Sequence, residues 1–417
     1  MFSNFRSLEE LYLKGCPISD IKQVFPVSLL AVDLQDVHMD FFYPDMFSEL
    51  HWLRDIHVTS SKICCQKVIG ELGSDQVCVS QQDDVISSCD NLIKEATLRL
   101  MVWLVGLVAF FGNTVSIVYR TVWNRKSLKL AYGLFVMNLS IADMLMGVNL
   151  IIIAVADVLY RGEYVLHDVD WRHGNLCKVC GCLSALSSEA SVMFILCVTI
   201  DRFLVIKYPL GNTRISHGKA NIMCGIVWVL CLIIAFLPLL PEFSHWQLYS
   251  ASSVCIGLPL TNDKFPGWEY SMVIFVGLNL ALFVLIAGGQ GIIYNAVAAS
   301  SRAVSSTMSQ SQSERRVKND MAIAKQLFLI IFTDFLCWFP IGVMGIRTLT
   351  DMDVSKEAYA WSAVILVPIN SAVNPILYTL PIVKEKLKFV KKKLFNVKID
   401  QRYNQSQDVT DTTTGSI

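Results

Sequence analysis

"CVTIDRFLVIKYPL", residues 197 to 210, closes a long apolar stretch with an acid, Asp201, beside an arginine, Arg202. Ionisable groups inside or at the end of a membrane helix are costly, so the pair poses two questions: which side of a membrane it faces, and what holds it. The surrounding chain supports the membrane reading. Of its 417 residues, 53% are hydrophobic and 17% charged, against roughly 25% charged in a soluble domain. The mean hydropathy is +0.48. A formal net charge of zero excludes nucleic-acid binding carried by an excess of Lys and Arg. Thirteen cysteines in 417 residues are too sparse for a disulfide scaffold.

A hydrocarbon core about 30 Å thick takes roughly 20 apolar helical residues to cross. Seven stretches qualify, near 98–122, 130–156, 177–206, 219–241, 268–298, 319–347 and 358–380. Lys and Arg gather in alternate loops: Arg120, Arg125, Lys126 and Lys129 after the first span, Lys207, Arg214 and Lys219 after the third, Arg302, Arg315, Arg316 and Lys318 after the fifth. The tail after the seventh carries Lys384, Lys386, Lys388, Lys391, Lys392 and Lys393. The positive-inside rule then puts the C-terminus in the cytoplasm and the N-terminus outside, at a plasma membrane. The Asp201-Arg202 pair falls on the cytoplasmic side.

Residues 1–63 follow the leucine-rich-repeat spacing. Leu8, Leu11, Leu13, Cys16 and Ile18 recur as Leu29, Val32, Leu34, Val37 and Met39, and again as Leu53, Ile56, Val58, Ser61 and Ile63. In such a unit the intervening strand positions face a concave, partner-binding side; these are Glu10, Tyr12, Asp33, Asp55 and His57. No signal-peptide pattern precedes the first repeat. That leaves two expectations: a fragment of a longer ectodomain, or a form whose first span directs insertion. Residues 64–97 read as a hinge in which Cys64, Cys65, Cys78 and Cys89 form two disulfides, three pairings being open. Cys177 and Cys255, in extracellular positions, are placed to bridge, and Cys16 reads as a packed repeat residue. The predicted fold class is an all-α seven-transmembrane helix bundle, 98–380, with a short extracellular leucine-rich-repeat α/β solenoid. A membrane-surface amphipathic helix, 381–395, lies on anionic lipids, and a polar tail, 396–417, is disordered.

Inside the bundle, Asp143 sits about halfway along the second span. Ser191, Asn370, Asn374 and Asn113 stand at comparable depth on other spans, an oxygen-rich set suited to Na⁺. "CWFP", ending in Trp338-Phe339-Pro340, and "NPILY", Asn374-Pro375 to Tyr378, put a proline into the sixth and seventh spans. Each removes a helical hydrogen bond and makes a kink.

Taken in order on successive spans, Gly112-Asn113, "LSIAD", "DRF", Trp228, "CWFP" and "NPILY" resemble the rhodopsin-like (class A) G-protein-coupled receptors over residues 98–395. With the repeats and hinge, the chain is similar to the leucine-rich-repeat-containing receptors, and within them to the relaxin-receptor branch and its invertebrate relatives. The resemblance implies a receptor that passes a peptide or protein hormone signal to a heterotrimeric G protein, Gs with cAMP. Arrestin, membrane lipids and a receptor dimer are its further implied partners. It makes Arg202 the arginine that restrains the resting state; its candidate carboxylates are Asp201 in its own helix and Asp320, twenty residues before Pro340 at the cytoplasmic start of the sixth span, the alternative for Asp320 being a solvated loop acid. Asp143, Ser191, Trp338, Asn370 and Asn374 fall on its sodium-pocket positions, so Na⁺ is an expected allosteric ion and no other cofactor or metal is implied. Tyr378 becomes the tyrosine that swings inward on activation, and Trp171 a first-outer-loop tryptophan. Three departures stand out. The fifth span lacks its usual proline; Gln290 stands where an activation tyrosine is common, with Tyr294 one turn later; and no low-density-lipoprotein-type module is visible.

Rival classes fare worse. A retinal pump needs a lysine in the seventh span, and 358–380 has none. Inverted repeats of a transporter and the nucleophile or metal clusters of an enzyme are not seen. The alternative left standing is a truncated, non-signalling form that traps ligand or pairs with a full-length sibling.

Overall fold

The computed structural model describes residues 5, 7–16, 25–37, 43–70, 77–82, 84, 86–208, 214–243, 245–258, 266–304, 329, 332–333, 335–350, 352 and 354–378, the side chains of 297–304, 356 and 378 excepted. Asp320, the Tyr378 side chain, the 381–395 segment and the tail lie outside the described residues.

The N-terminal part is a parallel four-stranded sheet in chain order: β1 (Glu10–Tyr12), β2 (Ala31–Leu34), β3 (Asp55–Ser60) and β4 (Val77–Gln82). Alternation along each strand decides which side chains go inward. Leu11 pairs with Val32, Val32 with Ile56 and Ile56 with Cys78, forming one inward row. Leu29, Leu34, Ile56 and Val58 are wholly buried in the core behind it. The register pairs Leu11, Val32 and Ile56, and Leu34 with Val58, which shows a short parallel sheet and not a full repeat unit, and Cys16 is a free thiol packed on the same core. β4 lies within the segment read as hinge. Its Val-Cys-Val alternation pairs with β3, and the Cys64–Cys78 disulfide anchors it. A second disulfide, Cys65–Cys89, ties the end of the sheet to the linker that leads into the bundle.

The bundle begins with a first span at Ala96–Val118, followed by a second at Ala131–Leu159, a third at Asn175–Lys207 and a fourth at His217–Phe236. The fifth runs through Trp268–Ser271, a π-helical turn at Met272–Leu278, and Asn279–Val304. The sixth is described at Phe335–Leu349. The seventh comprises Lys356–Trp361, a π-helical turn at Ser362–Leu366, and Val367–Tyr378. Among the described residues, five helices are long and apolar enough to cross a membrane. The third is more polar because it runs through the middle of the bundle, burying Ser184, Ser187, Ser188, Glu189, Ser191 and Asp201 against its neighbours. The fifth span, although it lacks a proline, still carries an underwound, π-helical turn. First and seventh spans meet closely: a Cβ on Gly112 would lie 2.9 Å from the Pro375 ring, so only glycine fits there. Between second and third spans the chain forms a short helix, Tyr164–His173, where the sequence suggested only a loop. Trp171 on that helix is buried and donates its indole N–H to Ser253 O at 2.7 Å, and the Cys177–Cys255 disulfide fastens the same outer loop to the third span.

Candidate functional site

Two groups of buried polar residues stand out among the described residues of the bundle. In the first, the Asp143 carboxylate is fully buried and accepts hydrogen bonds on both oxygens: from Ser191 Oγ to Oδ1 at 2.9 Å and from Asn374 Nδ2 to Oδ2 at 2.8 Å. One acid thereby joins the second, third and seventh spans, in a medium where a polar group finds no water. Asn374 Oδ1 is buried with no donor, leaving an oxygen free beside the carboxylate. Asn370 is buried one turn away on the seventh span. Asn113 does a different job: its Nδ2 donates to Ala109 O and to Ser371 O, at 2.8 and 3.0 Å, clasping the first span to the seventh. Trp338 is buried on the sixth span, two residues before Pro340.

The second group contains a residue that sequence reasoning missed. Glu189 is wholly buried on the third span and accepts one hydrogen bond, from Asn279 Nδ2 of the fifth, at 2.9 Å. The signal was available: "SSEASVMF" sets a carboxyl in mid-span, where the rule that drew attention to Asp143 applies equally. Lower on the same pair of spans, Gln290 Nε2 donates to Thr199 Oγ1 at 3.0 Å. Gln290 thus faces the third span, and Tyr294, one turn on, is 56% exposed on the outside of the bundle.

At the end of the third span, Asp201 Oδ2 accepts from both Nε and Nη2 of Arg202, at 3.1 and 2.7 Å. The guanidinium also lies over the Tyr132 ring, 4.2 Å from its centroid. Tyr132 stands at the start of the second span and was not among the partners foreseen; Asp320, which was, lies outside the described residues.

At the opposite end of the bundle, the sheet is locked by ions to the connection between the second and third spans. Lys62, in the short 3-10 turn Ser61–Cys64 that follows β3, is 3% exposed, and its ammonium sits 2.7 Å from Asp84 and 2.5 Å from Asp168 on the helix between the second and third spans. Tyr164 Oη donates to Asp168 Oδ1 at 2.7 Å and offers its ring face to Lys62. Arg172 stands 3.9 Å from Asp168. Two cations thus face two carboxylates, the balance a buried ion cluster requires. Burial alone would raise the Asp84 carboxyl, but the Lys62 ammonium and Arg172 outweigh it and hold it well below the usual carboxylate range. Burial, with Asp168 beside it, pushes the Tyr164 hydroxyl far up. Backbone bonds complete the joint: Val165 N to Cys89 O at 3.0 Å and Gly162 N to Asp90 O at 2.6 Å. Beyond Cys89, Leu92 and Ile93 are wholly buried in the bundle's own core, and Ile93 N donates to Asp157 Oδ1 of the second span at 3.0 Å.

Of the five positions expected on a concave face, Glu10, Tyr12 and Asp55 are exposed and Asp33 and His57 half-buried. Tyr12 donates to Glu10 at 3.0 Å, while Asp33 accepts the Gln35 N–H of its own turn. Below the outer mouth of the bundle, Val254 and Ile256 of the second outer loop reach in above Asn149 and Pro368. They leave a cavity of about 10 Å³, the room of one water.

The family described as "7 transmembrane receptor (rhodopsin family)" matches residues 112–378. The chain is 39% identical over 336 residues to the G-protein coupled receptor GRL101 of Lymnaea stagnalis, covering 80% of this chain and 29% of that protein. It is 35% identical over 298 residues to human relaxin receptor 1, covering 71% and 38%. With the lutropin-choriogonadotropic hormone receptor of Sus scrofa it shares 31% identity over 307 residues, covering 72% and 40%. The chain therefore spans well under half the length of each of these relatives. Seven spans, their buried polar links and the matched motifs agree: the chain belongs to the rhodopsin family of seven-transmembrane receptors, proteins that are receptors and not enzymes, and is similar within it to the relaxin receptors.

Proposed function

We propose that this protein is a cell-surface receptor, extracellular at its N-terminus, that passes a peptide or protein hormone signal to a heterotrimeric G protein, Gs, and so to cAMP. The observation that carries this reading is the linker. Residues that follow the sheet end inside the bundle core at Leu92 and Ile93, so a force on the sheet reaches the spans through a packed, hydrogen-bonded connection. The parallel sheet is read as a leucine-rich-repeat array whose exposed Glu10 and Asp55, with half-buried Asp33, suit a cationic hormone surface. The protein's own Val254 and Ile256 fill the bundle's mouth and leave no room there for a small-molecule ligand, which supports a large ligand that binds on the surface.

Activation is a population shift between two bundle states. In the resting state Arg202 is held by Asp201 and Tyr132, and Asp143 gathers three spans around itself. The chemistry of that donor set suits Na⁺: a carboxylate, the Ser191 hydroxyl, and Asn374 Oδ1, a buried acceptor without a donor. Asn370 stands on the same side of the seventh span. A bound Na⁺ would supply the positive charge that the carboxylate lacks and favour the resting packing. Opening of the cytoplasmic ends then frees Arg202 for the G protein.

The test is cAMP in cells expressing this chain alone, with surface delivery confirmed by an N-terminal tag stained on intact cells. Signalling above mock-transfected cells, abolished by Arg202→Ala, is expected. A surface-delivered chain that leaves cAMP unchanged, basally and with relaxin-type peptides, overturns the reading in favour of a ligand trap or dimerisation partner.

A further inference from the structure

Asp143 and Glu189 are both fully buried carboxyls in the bundle, yet their surroundings ask for opposite protonation states. Asp143 receives donors on both oxygens. Glu189 receives a single donor, Asn279 Nδ2 on Oε1. Its other oxygen, Oε2, is buried without a partner, and so is Asn279 Oδ1. An ionised carboxylate is acceptor-only and offers about four lone-pair sites. Here it would be left with one hydrogen bond, and no ion pair among the described residues includes it.

The hydroxyl and thiol donors nearby are committed elsewhere. Tyr249 Oη donates to Ala235 O at 2.8 Å, Tyr270 Oη to Ile234 O at 2.7 Å, and Cys231 Sγ is directed at Met193 Sδ. These are the titratable side chains of the fourth span, the second outer loop and the fifth span that sense the Glu189 charge. None of them gives it a hydrogen. The two groups left over are complementary in one way only. A proton on Oε2 makes that atom a donor, and Asn279 Oδ1 is an acceptor that lacks one.

We propose that Glu189 is a proton-binding site: it is held as the neutral acid, and its Oε2–H donates to Asn279 Oδ1 while Asn279 Nδ2 donates to Oε1. The result is a closed two-bond clasp between the third and fifth spans. It stands directly after the π-helical turn Met272–Leu278, whose carbonyls at Ile274 and Phe275 lie 3.4 Å from Asn279 Nδ2. The clasp fixes the fifth span directly after a turn that is already underwound. Loss of the proton would break one bond and set two bare oxygens against each other. Glu189 is thus a positioning residue, acting on the fifth span through Asn279.

The test uses the full chain in lipid nanodiscs at neutral pH and reads the infrared carbonyl stretch of protonated carboxyl groups. A band is expected in the wild type, retained in Asp143→Asn and lost in Glu189→Gln. If the wild-type minus Glu189→Gln difference shows instead a lost carboxylate stretch, Glu189 is ionised and the proposal falls. Selective ¹³C-glutamate labelling of the wild type reads the same band without any variant, should Glu189→Gln fail to fold. Glutamine can form the same two-bond ring with Asn279, so Glu189→Gln should melt with the wild type and Glu189→Ala well below it. Equal losses in the two variants would overturn the clasp, since packing alone would then account for both.

Discussion

At the scale of single residues, hydrogen-bond direction decides what each buried acid can do. Asp143 is surrounded by donors, so replacing it with Asn turns an amide NH₂ or a poorer acceptor toward Asn374 Nδ2. Removing a donor is a milder change. Ser191→Ala takes away one interhelical hydrogen bond and should cost about 1–2 kcal/mol in a membrane bundle. Asp143→Asn should cost more, because it disturbs both contacts. The ranking is checked by thermal melting of purified protein, and equal melting temperatures for the two variants would contradict it. Arg202 gives a second residue-scale prediction. Its stacking on Tyr132 is worth about 0.5–1 kcal/mol, so Tyr132→Ala should raise basal cAMP by about two- to fivefold, at equal surface density. Unchanged basal signalling would remove Tyr132 from the restraint. The sequence announced Arg202 and Asp201 as neighbours, but not Tyr132. A ring some seventy residues upstream is brought beside the arginine only by the packing of two helices, for which local sequence has no signal. Glu189 is the opposite case, legible by the cost of a buried charge yet passed over because no motif flags it.

At the scale of elements, the ion cluster around Lys62 joins the turn after β3, the linker and the outer-loop helix. Lys62 is almost fully buried between Asp84 and Asp168. Removing one partner of a buried ion pair leaves an uncompensated charge and costs about 3–5 kcal/mol. Lys62→Met should therefore strip hydrogen-exchange protection from the Ile93 and Lys94 amides, both bonded in the wild type. Retained protection would show that the linker is held without the ions. The pH dependence follows from Asp84, whose folded carboxyl titrates below its unfolded value. A depressed carboxyl contributes stability that is fully present above the unfolded value, about 3.9, and is lost as pH falls through the folded one. Protection of the linker should therefore stay level from pH 8 to 5 and fail only in stronger acid. A loss near pH 6 would point to a histidine and not to this cluster. Legibility also differs by element. The first three strands were legible in the apolar spacing because their inward positions recur in phase. β4 was hidden because "QVCVSQQ" has its inward residue, Cys78, in a disulfide, and a cysteine there reads as hinge. The outer-loop helix was hidden for another reason. "YVLHDVDWRH" carries its stability in tertiary bonds, Asp168 to Lys62 and Trp171 to Ser253, and not in an apolar stripe.

At the scale of the whole molecule, the two ends of the bundle hold separate clusters, the ions around Lys62 at one and the Arg202 contacts at the other, and in the proposed receptor each acts as a restraint. If both bias one two-state equilibrium, each variant multiplies the ratio of active to resting receptor by its own factor. Coupling between them enters only through that shared equilibrium. The docked linker is part of the resting packing, so Asp168→Asn, which loosens Lys62 and removes the charge that Tyr164 contacts, should raise basal cAMP, as Tyr132→Ala does from the other side. The residues share no partner, and changes at such sites add within about 0.3–0.5 kcal/mol. The double variant should therefore show the product of the two single increases, after normalisation to surface density and short of the response ceiling. A double variant no more active than the stronger single one, while still below that ceiling, would mean that the outer joint and the inner clamp do not act on one equilibrium. A double variant far above the product would mean that they contact each other through an element with two arrangements of its own. The cycle needs no hormone, because it reads the resting equilibrium that a hormone would shift.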